Sequence, residues 1–319
     1  MSNIQQTGGD AFSIESEISD SQKTYSQGQL VRRRFFRHKG AIVSLIVLGF
    51  IALLSISSIG VGPIPGWWDK NFISANPIVN GGAPTISWTG LGEHPFGQDT
   101  IGKDYFALVM RGTQISLLVA FTVGIVSTII GTIVGALAGY FRGFAETFLM
   151  RMTDLVIIIP LLALAAVLAR AASDKGVFFL ALMLAIVTWT GLARLVRGEV
   201  LSLREREFVA SARAIGTSPW RIIFKHILPN TIGVIIVSAT LSIASAILLE
   251  TSLSYLGFGV QSPDVSLGLL ISQYQNAFLT RPWLFWFPGI MILLIALTIN
   301  FIGDGLRDAF DPRQNRSKD

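Results

Sequence analysis

The segment from Gly97 to Asp104 has the spacing of a chemical motif. It reads GQDTIGKD and matches G-x-x-x-x-G-K, in which backbone amides surround phosphate groups and the lysine neutralises their charge. The motif then requires Ser or Thr to coordinate magnesium, and this chain has Asp104 instead. We therefore do not predict a nucleotide site. We interpret the segment as a loop and short helix before an apolar span, with Lys103 and Asp104 near the membrane interface.

Other catalytic patterns are missing from the sequence. The 3 histidines, His38, His94 and His226, are far apart, and none belongs to an H-E-x-x-H motif. No serine lies in a G-x-S-x-G turn. The chain has no cysteine, which excludes disulfides, thiolate metal sites and a cysteine nucleophile. We therefore expect no catalytic, cofactor-binding or metal-binding residues in this chain.

Half of the sequence is hydrophobic. Hydrophobic residues make up 51% of the chain and charged residues only 14%, a balance that is typical of membrane proteins. A helix needs about 20 apolar residues to cross the hydrocarbon core of a bilayer. Several segments reach this length, so the sequence predicts an all-α membrane protein with six transmembrane helices. The predicted spans are residues 41–60, 115–139, 149–169, 177–196, 231–252 and 284–303.

The basic residues are distributed unevenly between the two sides of this topology. Nineteen of the 25 Lys and Arg residues lie in the terminal segments and in the second and fourth loops, all on one side. Because Lys and Arg concentrate on the cytoplasmic side of membrane proteins, both termini are predicted to be cytoplasmic. The net charge of +5 therefore needs no nucleic-acid partner. The predicted segments are a cytoplasmic tail (1–40), a first transmembrane anchor (41–60), an extracytoplasmic loop (61–111), a five-span transmembrane domain (112–306) and a cytoplasmic tail (307–319).

Residues Glu207 to Asn230, between the fourth and fifth spans, read EFVASARAIGTSPWRIIFKHILPN. Gly216 suits the end of one helix, Ser218 can cap the next, and Pro219 fits its first turn, which predicts a helix-turn-helix. The first helix is expected to project into solvent and contact another protein. An ordinary structured loop is the alternative. The second helix is predicted to be amphipathic, packing on the membrane interface or the spans through Trp220, Ile223, Phe224, Ile227 and Leu228.

Small and polar residues recur on the faces of two spans. Gly131, Gly135 and Gly139 repeat every four residues, which favours close packing of another helix. Four serines in the fifth span share one helical face, which either lines a water-filled pathway or bonds a neighbouring helix. These serines are Ser238, Ser242, Ser245 and Ser252.

Charged residues within the spans need a partner, a proton or water, because an unpaired charge in hydrocarbon is costly. Glu250 lies near the outer end of the fifth span, where it either faces a pathway or is simply exposed at the interface. Arg151 and Asp154 lie one helical turn apart and are predicted to pair with each other. The candidate pathway-lining residues are Ser238, Ser242, Ser245 and Glu250.

The Glu207 to Asn230 segment resembles the E-A-A loop of permease subunits of ATP-binding cassette importers. Four further segments are similar to the C-type subunit of dipeptide and oligopeptide permeases, and the resemblance covers nearly the whole chain. The incomplete phosphate motif falls in one of them, where the family has HPFGxDxxGxD and Lys103 occupies a variable position. The segments are RRRFFRHKGAIVSLIVL, HPFGQDTIGKDYFALVMRGTQISL, ETSLSYLGFGVQSP and PWLFWFPGIMILLIALTINFIGDGLRDAFDPR.

This resemblance implies a type I importer permease fold in a bacterial cytoplasmic (inner) membrane, with a cytoplasmic coupling (E-A-A) helix. A homologous partner permease would complete a central pathway. Two cytoplasmic ATPase subunits would bind ATP and magnesium, and an extracytoplasmic substrate-binding protein would deliver the substrate. The chain itself would then hold no cofactor and would not be an enzyme.

The resemblance also implies which residues couple to the ATPase. Ala212 and Gly216 match the small residues of the E-A-A loop, while Ala210 and Ser211 replace its glutamate and first alanine. His226 occupies a slot usually given to isoleucine. The loss of the glutamate favours docking through helix shape and apolar burial rather than through one charge. The coupling residues implied are Glu207, Ala210, Ser211, Ala212, Arg213, Gly216, Leu228 and Pro229.

The resemblance favours a peptide as the transported substrate, with nickel or another small solute as the alternative within the same permease class. A self-sufficient channel or secondary transporter is a second alternative, and it predicts transport without ATPase subunits. A membrane-anchored signalling or structural protein is a third, and it predicts partner binding without solute flux.

Overall fold

The computed structural model describes residues 27–88 and 90–311. Within these ranges the chain is mainly helical, and a two-stranded antiparallel hairpin, β1 (Gly60–Val61) and β2 (Ile64–Pro65), follows the second helix. The helices are α1 (Gln27–Phe35), α2 (Lys39–Ile59), α3 (Tyr105–Phe141), α4 (Gly143–Ile158), α5 (Leu161–Ala172), α6 (Val177–Thr188), α7 (Thr190–Arg204), α8 (Glu207–Ala214), α9 (Pro219–Tyr255), α10 (Leu267–Tyr274) and α11 (Trp283–Phe310).

Four of these helices, α2, α3, α9 and α11, are long and apolar enough to cross a bilayer. Two bent pairs, α4 with α5 and α6 with α7, pass the same test only when each pair is taken together. Counting each bent pair as one span gives 6 spans in the described residues, which confirms the predicted all-α architecture.

The third predicted span, residues 149–169, is not one continuous helix. It breaks between Ile158 and Leu161, where the two halves meet at 91°. Pro160 has no backbone N–H to continue the helical ladder, and it holds the preceding residue, Ile159, in an extended conformation (φ −76°, ψ 129°). The fourth predicted span, 177–196, also bends, by 46° beside Trp189.

Helix α3 lies at the centre of the bundle and packs against α2, α6, α7 and α9. Its glycine stripe faces α7. A Cβ atom on Gly135 would lie 2.5 Å from the carbonyl oxygen of Ala193, and one on Gly139 would lie 2.8 Å from Cβ of Val200. These approaches exclude any side chain, so the predicted packing role of the stripe is confirmed.

Ion pairs tie α4 to α7, which follows it after two further helices. Arg197 Nε donates to Glu146 Oε1 at 2.9 Å, and Arg194 pairs with Asp154. The predicted pairing of Arg151 with Asp154 is therefore wrong, because α7 brings Arg194 to the same carboxylate.

Helix α1 and the last turn of α11 contact each other at one end of the bundle, which we call the basic end and which also contains α8. His38 accepts a hydrogen bond from the Ala41 N–H at 3.0 Å to cap α2, and its other ring nitrogen lies 3.6 Å from Asp308 of α11. Of the predicted tails, residues 1–26 and 312–319 lie outside the described ranges. The described part of the first tail contains α1, which the sequence did not predict.

The opposite end of the bundle, which we call the loop end, holds the segment between α2 and α3. Gln114 of α3 donates to the carbonyl oxygens of Ser55 (2.7 Å) and Gly60 (2.9 Å), which fixes the start of this segment. Helix α3 begins at Tyr105, ten residues before the span predicted from hydropathy. The additional turns are buried against the loop-end segment.

Candidate functional site: the α8 segment and two polar networks

The turn after α8 has the geometry that ends a helix with glycine. Gly216 has a φ of +79°, which is unfavourable for a residue with a side chain. Its N–H donates to Arg213 O (3.0 Å), and the N–H of Thr217 donates to Ala212 O (3.1 Å). These two bonds form a Schellman motif and satisfy carbonyls that the helix end would otherwise leave free. The helix-turn-helix prediction is confirmed here.

A small apolar core holds α8 in place. Val209 and Ala212 point inward, with exposed fractions of 0% and 6%. They belong to a cluster that also includes residues of α3, α7 and α9, separate from the main core between the spans. The remaining predicted coupling residues of α8 and its turn point outward: Glu207, Ala210, Ser211, Arg213 and Gly216 are exposed. The helix therefore presents one free face to solvent.

The first turns of α9 differ from the prediction. The backbone forms a π-helix over Ile223–Ile227, in which the N–H of Leu228 donates to Ile223 O. Pro229 has no N–H to donate to the preceding turn. Because the backbone widens at this point, the helix continues through Pro229 without a break. Leu228 is half-buried and Pro229 is exposed.

The start of α9 buries only part of its apolar surface. Ile222, Ile223 and Ile227 are buried, whereas Trp220 and Phe224 are more than half exposed. Ile223 and Ile227 of the predicted apolar face therefore pack in the small core, and contact of Trp220 and Phe224 with the membrane interface stays a prediction. Ser218 occupies the N-cap position but its side chain forms no capping hydrogen bond, so the backbone and Pro219 alone start the helix.

Glu250 lies in a closed polar network near the loop end. Its carboxylate is 0% exposed and accepts hydrogen bonds from Ser254 Oγ (2.6 Å) and Ser116 Oγ (3.3 Å). Ser116 in turn accepts from the Leu267 N–H at 3.1 Å, and Ser266 caps α10 through the Leu269 N–H at 3.1 Å. The network joins α3, α9 and α10. The expectation that Glu250 is exposed at the interface is wrong.

The serine stripe does not continue into this network. Ser245 and Ser252 are exposed, and Ser238 and Ser242 are half-buried. Ser242 Oγ donates to its own helix, to Ser238 O at 2.8 Å. The stripe therefore lies on a different face of α9 from Glu250, and the two cannot line one surface.

The residues of the incomplete phosphate motif build the loop end. Asp104 is 0% exposed and caps α3 by accepting from the Ala107 N–H at 2.8 Å. The same carboxylate accepts from Trp68 Nε1 at 2.9 Å and lies 2.7 Å from Nδ1 of the buried His94. Because an ionised carboxylate only accepts, His94 donates from Nδ1. Asp104 is therefore buried beneath the segment that folds over the start of α3, and its position near the membrane interface stays a prediction.

A second loop-end network was not foreseen from the sequence. Tyr274 donates from its hydroxyl to Asp99 Oδ2 (2.9 Å), and Arg281 Nη1 donates to Asp99 O (2.8 Å). Burial raises the pKa of the Tyr274 hydroxyl, and the neighbouring Asp99 carboxylate raises it further. No spacing in the sequence pointed to this contact, because its residues lie more than 170 positions apart.

An open cleft of about 570 Å³ lies at the loop end, between the α5–α6 connection and the loop before α10. Its lining includes charged side chains, among them Arg170, Asp174 and Asp264. Within residues 27–88 and 90–311, no group of 3 or more His, Cys, Asp or Glu is placed to hold a metal ion.

Comparison with known proteins gives matches over most of the chain. Residues 131–316 match the family described as binding-protein-dependent transport system inner membrane component. Residues 26–65 match the N-terminal transmembrane domain of oligopeptide transport permease C. The chain is 40% identical over 289 residues to the oligopeptide transport system permease protein of Mycobacterium tuberculosis, which covers 90% of this chain and 95% of that protein. It is 38% identical over 285 residues to the protein of the same name from Haemophilus influenzae, covering 89% and 88% of the two chains.

The fold is similar to a chain of a methionine ABC transporter in an inward-facing conformation. The TM-score is 0.53 and the identity is 20%, over 64% of this chain and 96% of that chain. This likeness supports the predicted permease fold, and the sequence matches confirm the resemblance to C-type oligopeptide permeases. This chain therefore belongs to the family of inner-membrane permease components of binding-protein-dependent transport systems.

Proposed function

We propose that this chain is the permease subunit of an ATP-binding cassette importer and forms part of the membrane pathway for peptides. The observation that carries the proposal is the 40% identity to an oligopeptide permease over 90% of the chain. The exposed face of α8 supports it, because a pathway subunit without catalytic groups needs a surface that receives motion from an energy-supplying partner.

The proposed assembly contains a homologous partner permease, two ATPase subunits and an extracytoplasmic substrate-binding protein. ATP and magnesium bind the ATPase subunits, and this chain catalyses no reaction. Both termini and α8 face the cytoplasm, which agrees with the concentration of Arg and Lys at the basic end. The binding protein delivers its peptide at the loop end, where the charged cleft opens.

The coupling contact in this proposal is the exposed face of α8 and its turn. Closure of the ATPase pair displaces α8, and the small core beneath it transmits the displacement to α3, α7 and α9. Ala210, Ser211, Arg213 and Gly216 touch the ATPase directly. Ala212 faces the core and positions the helix, and Leu228 and Pro229 shape the π-turn through which α9 follows. In the pathway Ser238, Ser242 and Ser245 are the candidate polar face, whereas Glu250 supports α10.

The test is uptake by vesicles that contain this chain together with the permease, ATPase and binding protein encoded beside it. A labelled oligopeptide and labelled nickel are offered in parallel, with and without internal ATP. We expect ATP-dependent peptide uptake. Uptake of nickel alone would show that the substrate is not a peptide and would leave the permease role unchanged. Uptake in vesicles that contain this chain alone would favour a self-sufficient channel.

The coupling role is tested with Gly216→Val. A β-branched side chain strains the left-handed position, so we expect peptide uptake to fall at least about tenfold in a complex that still assembles. Gly198→Val is the matched control, because Gly198 lies on α7 near the same end and a Cβ atom there meets nothing within 4 Å. Gly216→Asn should retain more uptake than Gly216→Val, since Asn tolerates the left-handed conformation. Normal uptake and normal peptide-stimulated ATPase in Gly216→Val would contradict the coupling role.

A further inference from the structure

Three exposed cations lie at the basic end directly before the body of α2. Arg32 belongs to the last turn of α1, Arg37 to the connection that follows, and Lys39 is the first residue of α2. None of the three forms an ion pair with another residue of the ranges 27–88 and 90–311. The acidic Asp308 of this region lies beside His38 instead. The three positive charges are therefore available to a partner beyond the described residues.

Lys39 begins the apolar stripe of α2 that faces away from the bundle. Val43, Ile46, Phe50 and Leu53 are each more than half exposed, and they follow Lys39 at i+4, i+7, i+11 and i+14, so all five residues share one helical face. The opposite face is buried against the bundle. Its buried residues are Ala41, Ser44, Ile51, Ser55 and Ser58. Because α2 is long and apolar enough to cross a bilayer, the exposed stripe contacts hydrocarbon and Lys39 lies at the edge of that layer.

Helix α1 is held beside this edge rather than extending away from it. It packs against α11, and Arg34 Nη1 donates to the carbonyl oxygen of Asp311 at 2.9 Å. Arg34 and Phe35 are half-buried, whereas Arg32 points outward. Phe36, the next residue, is more than half exposed, and an exposed aromatic ring between cations is typical of the interface between membrane and water. The structure therefore places Arg32 and Lys39 on two helices that are both fixed to the end of α11.

We propose that Arg32, Arg37 and Lys39 bind the phosphate groups of anionic phospholipids in the leaflet at the basic end. Clusters of Lys and Arg next to a span attract anionic lipids, and guanidinium groups bind phosphate oxygens in pairs. A lipid fits better than a soluble anion, because Lys39 lies on the same face as the hydrocarbon-facing stripe, where phosphate groups border the hydrocarbon. The inference depends on α2 crossing the membrane and does not depend on the transported substrate or on the coupling role of α8.

The experiment measures which lipid lies beside α1 in nanodiscs that contain the full chain and a cysteine-free partner permease. This chain has no cysteine, so Gly28→Cys attaches a single fluorophore one turn before Arg32, where a Cβ atom meets nothing within 4 Å. Phosphatidylglycerol and phosphatidylcholine, each with a nitroxide near the headgroup, are compared as quenchers. At about 0.05 M salt we expect phosphatidylglycerol to quench roughly fivefold more strongly at equal content. The preference should disappear at about 0.5 M salt, because salt screens charges at a surface.

Arg32→Gln with Lys39→Gln should reduce the preference for phosphatidylglycerol to less than about twofold. Arg170→Gln with Lys175→Gln is the matched control, because it removes two exposed charges at the loop end and should keep the full preference. Unfolding temperatures establish that both variants are folded, and the salt series on the fluorophore-labelled chain needs no charge variant.

Equal quenching by the two lipids at low salt, or an equal loss of preference in both double variants, would overturn the lipid-binding site. The affinity of the purified ATPase is measured on the same nanodiscs. If the Arg32 and Lys39 variant bound the ATPase at least about tenfold more weakly and kept its lipid preference, these cations would contact the ATPase and the lipid site would be wrong. Peptide uptake is not part of the readout, so this result is independent of the proposed function.

Discussion

Asp104 at the loop end and the outer face of α8 at the basic end place polar residues in opposite settings. At the loop end, Asp104 receives hydrogen bonds from Trp68, His94 and the backbone, and it is fully buried. At the basic end, the polar residues Glu207, Ser211 and Arg213 of α8 are exposed. Polar groups that satisfy each other in the interior stabilise the subunit itself. Polar groups on an exposed helix face remain available for contact with another protein.

This difference separates two effects of mutation. Changes at the loop end should act first on stability, and transport should fall only because less folded protein remains. Changes on the outer face of α8 should leave stability almost unchanged and act on binding or coupling. Each of the following experiments therefore reports both the unfolding temperature and a functional readout.

The largest effect is expected for Asp104→Ala. The substitution removes the acceptor for Trp68 Nε1, His94 Nδ1 and the Ala107 N–H at once and leaves these donors buried. We expect a loss of roughly 3 kcal/mol of unfolding free energy. Thermal unfolding in detergent measures it. Asp69→Ala is the control, since Asp69 is an exposed acid in the same segment. Equal unfolding temperatures for Asp104→Ala and Asp69→Ala would contradict the stabilising role of the polar residues buried at the loop end.

Glu250→Ala comes next, with an expected loss of about 2 kcal/mol, because Ser254 and Ser116 lose their common acceptor and α9 loses its hydrogen bond to α3. Glu250→Gln keeps one acceptor oxygen and should lose less. Ser252→Ala serves as the control on the same helix, where the hydroxyl bonds only to Leu248 O at 2.8 Å. If Glu250→Ala abolished peptide uptake without any change in unfolding temperature, a direct pathway role would replace the structural one.

Ile215→Ser tests the basic end. Ile215 is 83% exposed at the turn after α8, so its replacement should not lower the unfolding temperature. If apolar burial contributes to docking, ATPase binding should weaken by about tenfold. Trp88→Ser, at an exposed position of the loop end, should leave ATPase binding unchanged. If Ile215→Ser lowered the unfolding temperature without weakening ATPase binding, Ile215 would stabilise the fold rather than contact the ATPase.

The smallest effect is expected for Tyr274→Phe, which removes one hydrogen bond to Asp99 and should cost about 1 kcal/mol. Burial raises the pKa of Tyr274 above its ordinary value of 10.0, so the hydroxyl is protonated in folded and unfolded chains at neutral pH. Its contribution is present below the unfolded pKa and is lost only as the pH rises through the folded one. The stability difference from the unchanged chain should therefore stay constant between about pH 6 and pH 9. If the stability difference between Tyr274→Phe and the unchanged chain became smaller within this range, the Tyr274 hydroxyl would not be a protonated donor to Asp99.

The start of α9 contains a π-turn that local periodicity did not predict. It covers Ile223–Ile227 and lets the helix continue through Pro229. Similarly, the 91° bend at Pro160 breaks a segment whose hydropathy is continuous. Hydropathy measures the apolar content of a segment, and backbone hydrogen bonding decides whether it is straight.

The sequence by itself determined the membrane class, the all-α architecture and the turn at Gly216. Each of these depends on local properties, namely apolar length, charge distribution and backbone conformational preference. Only the tertiary structure decided that Glu250 and Asp104 are buried and that Asp154 pairs with Arg194. The physical reason is that the cost of a charge depends on its neighbours in space, and those neighbours come from helices distant in the sequence.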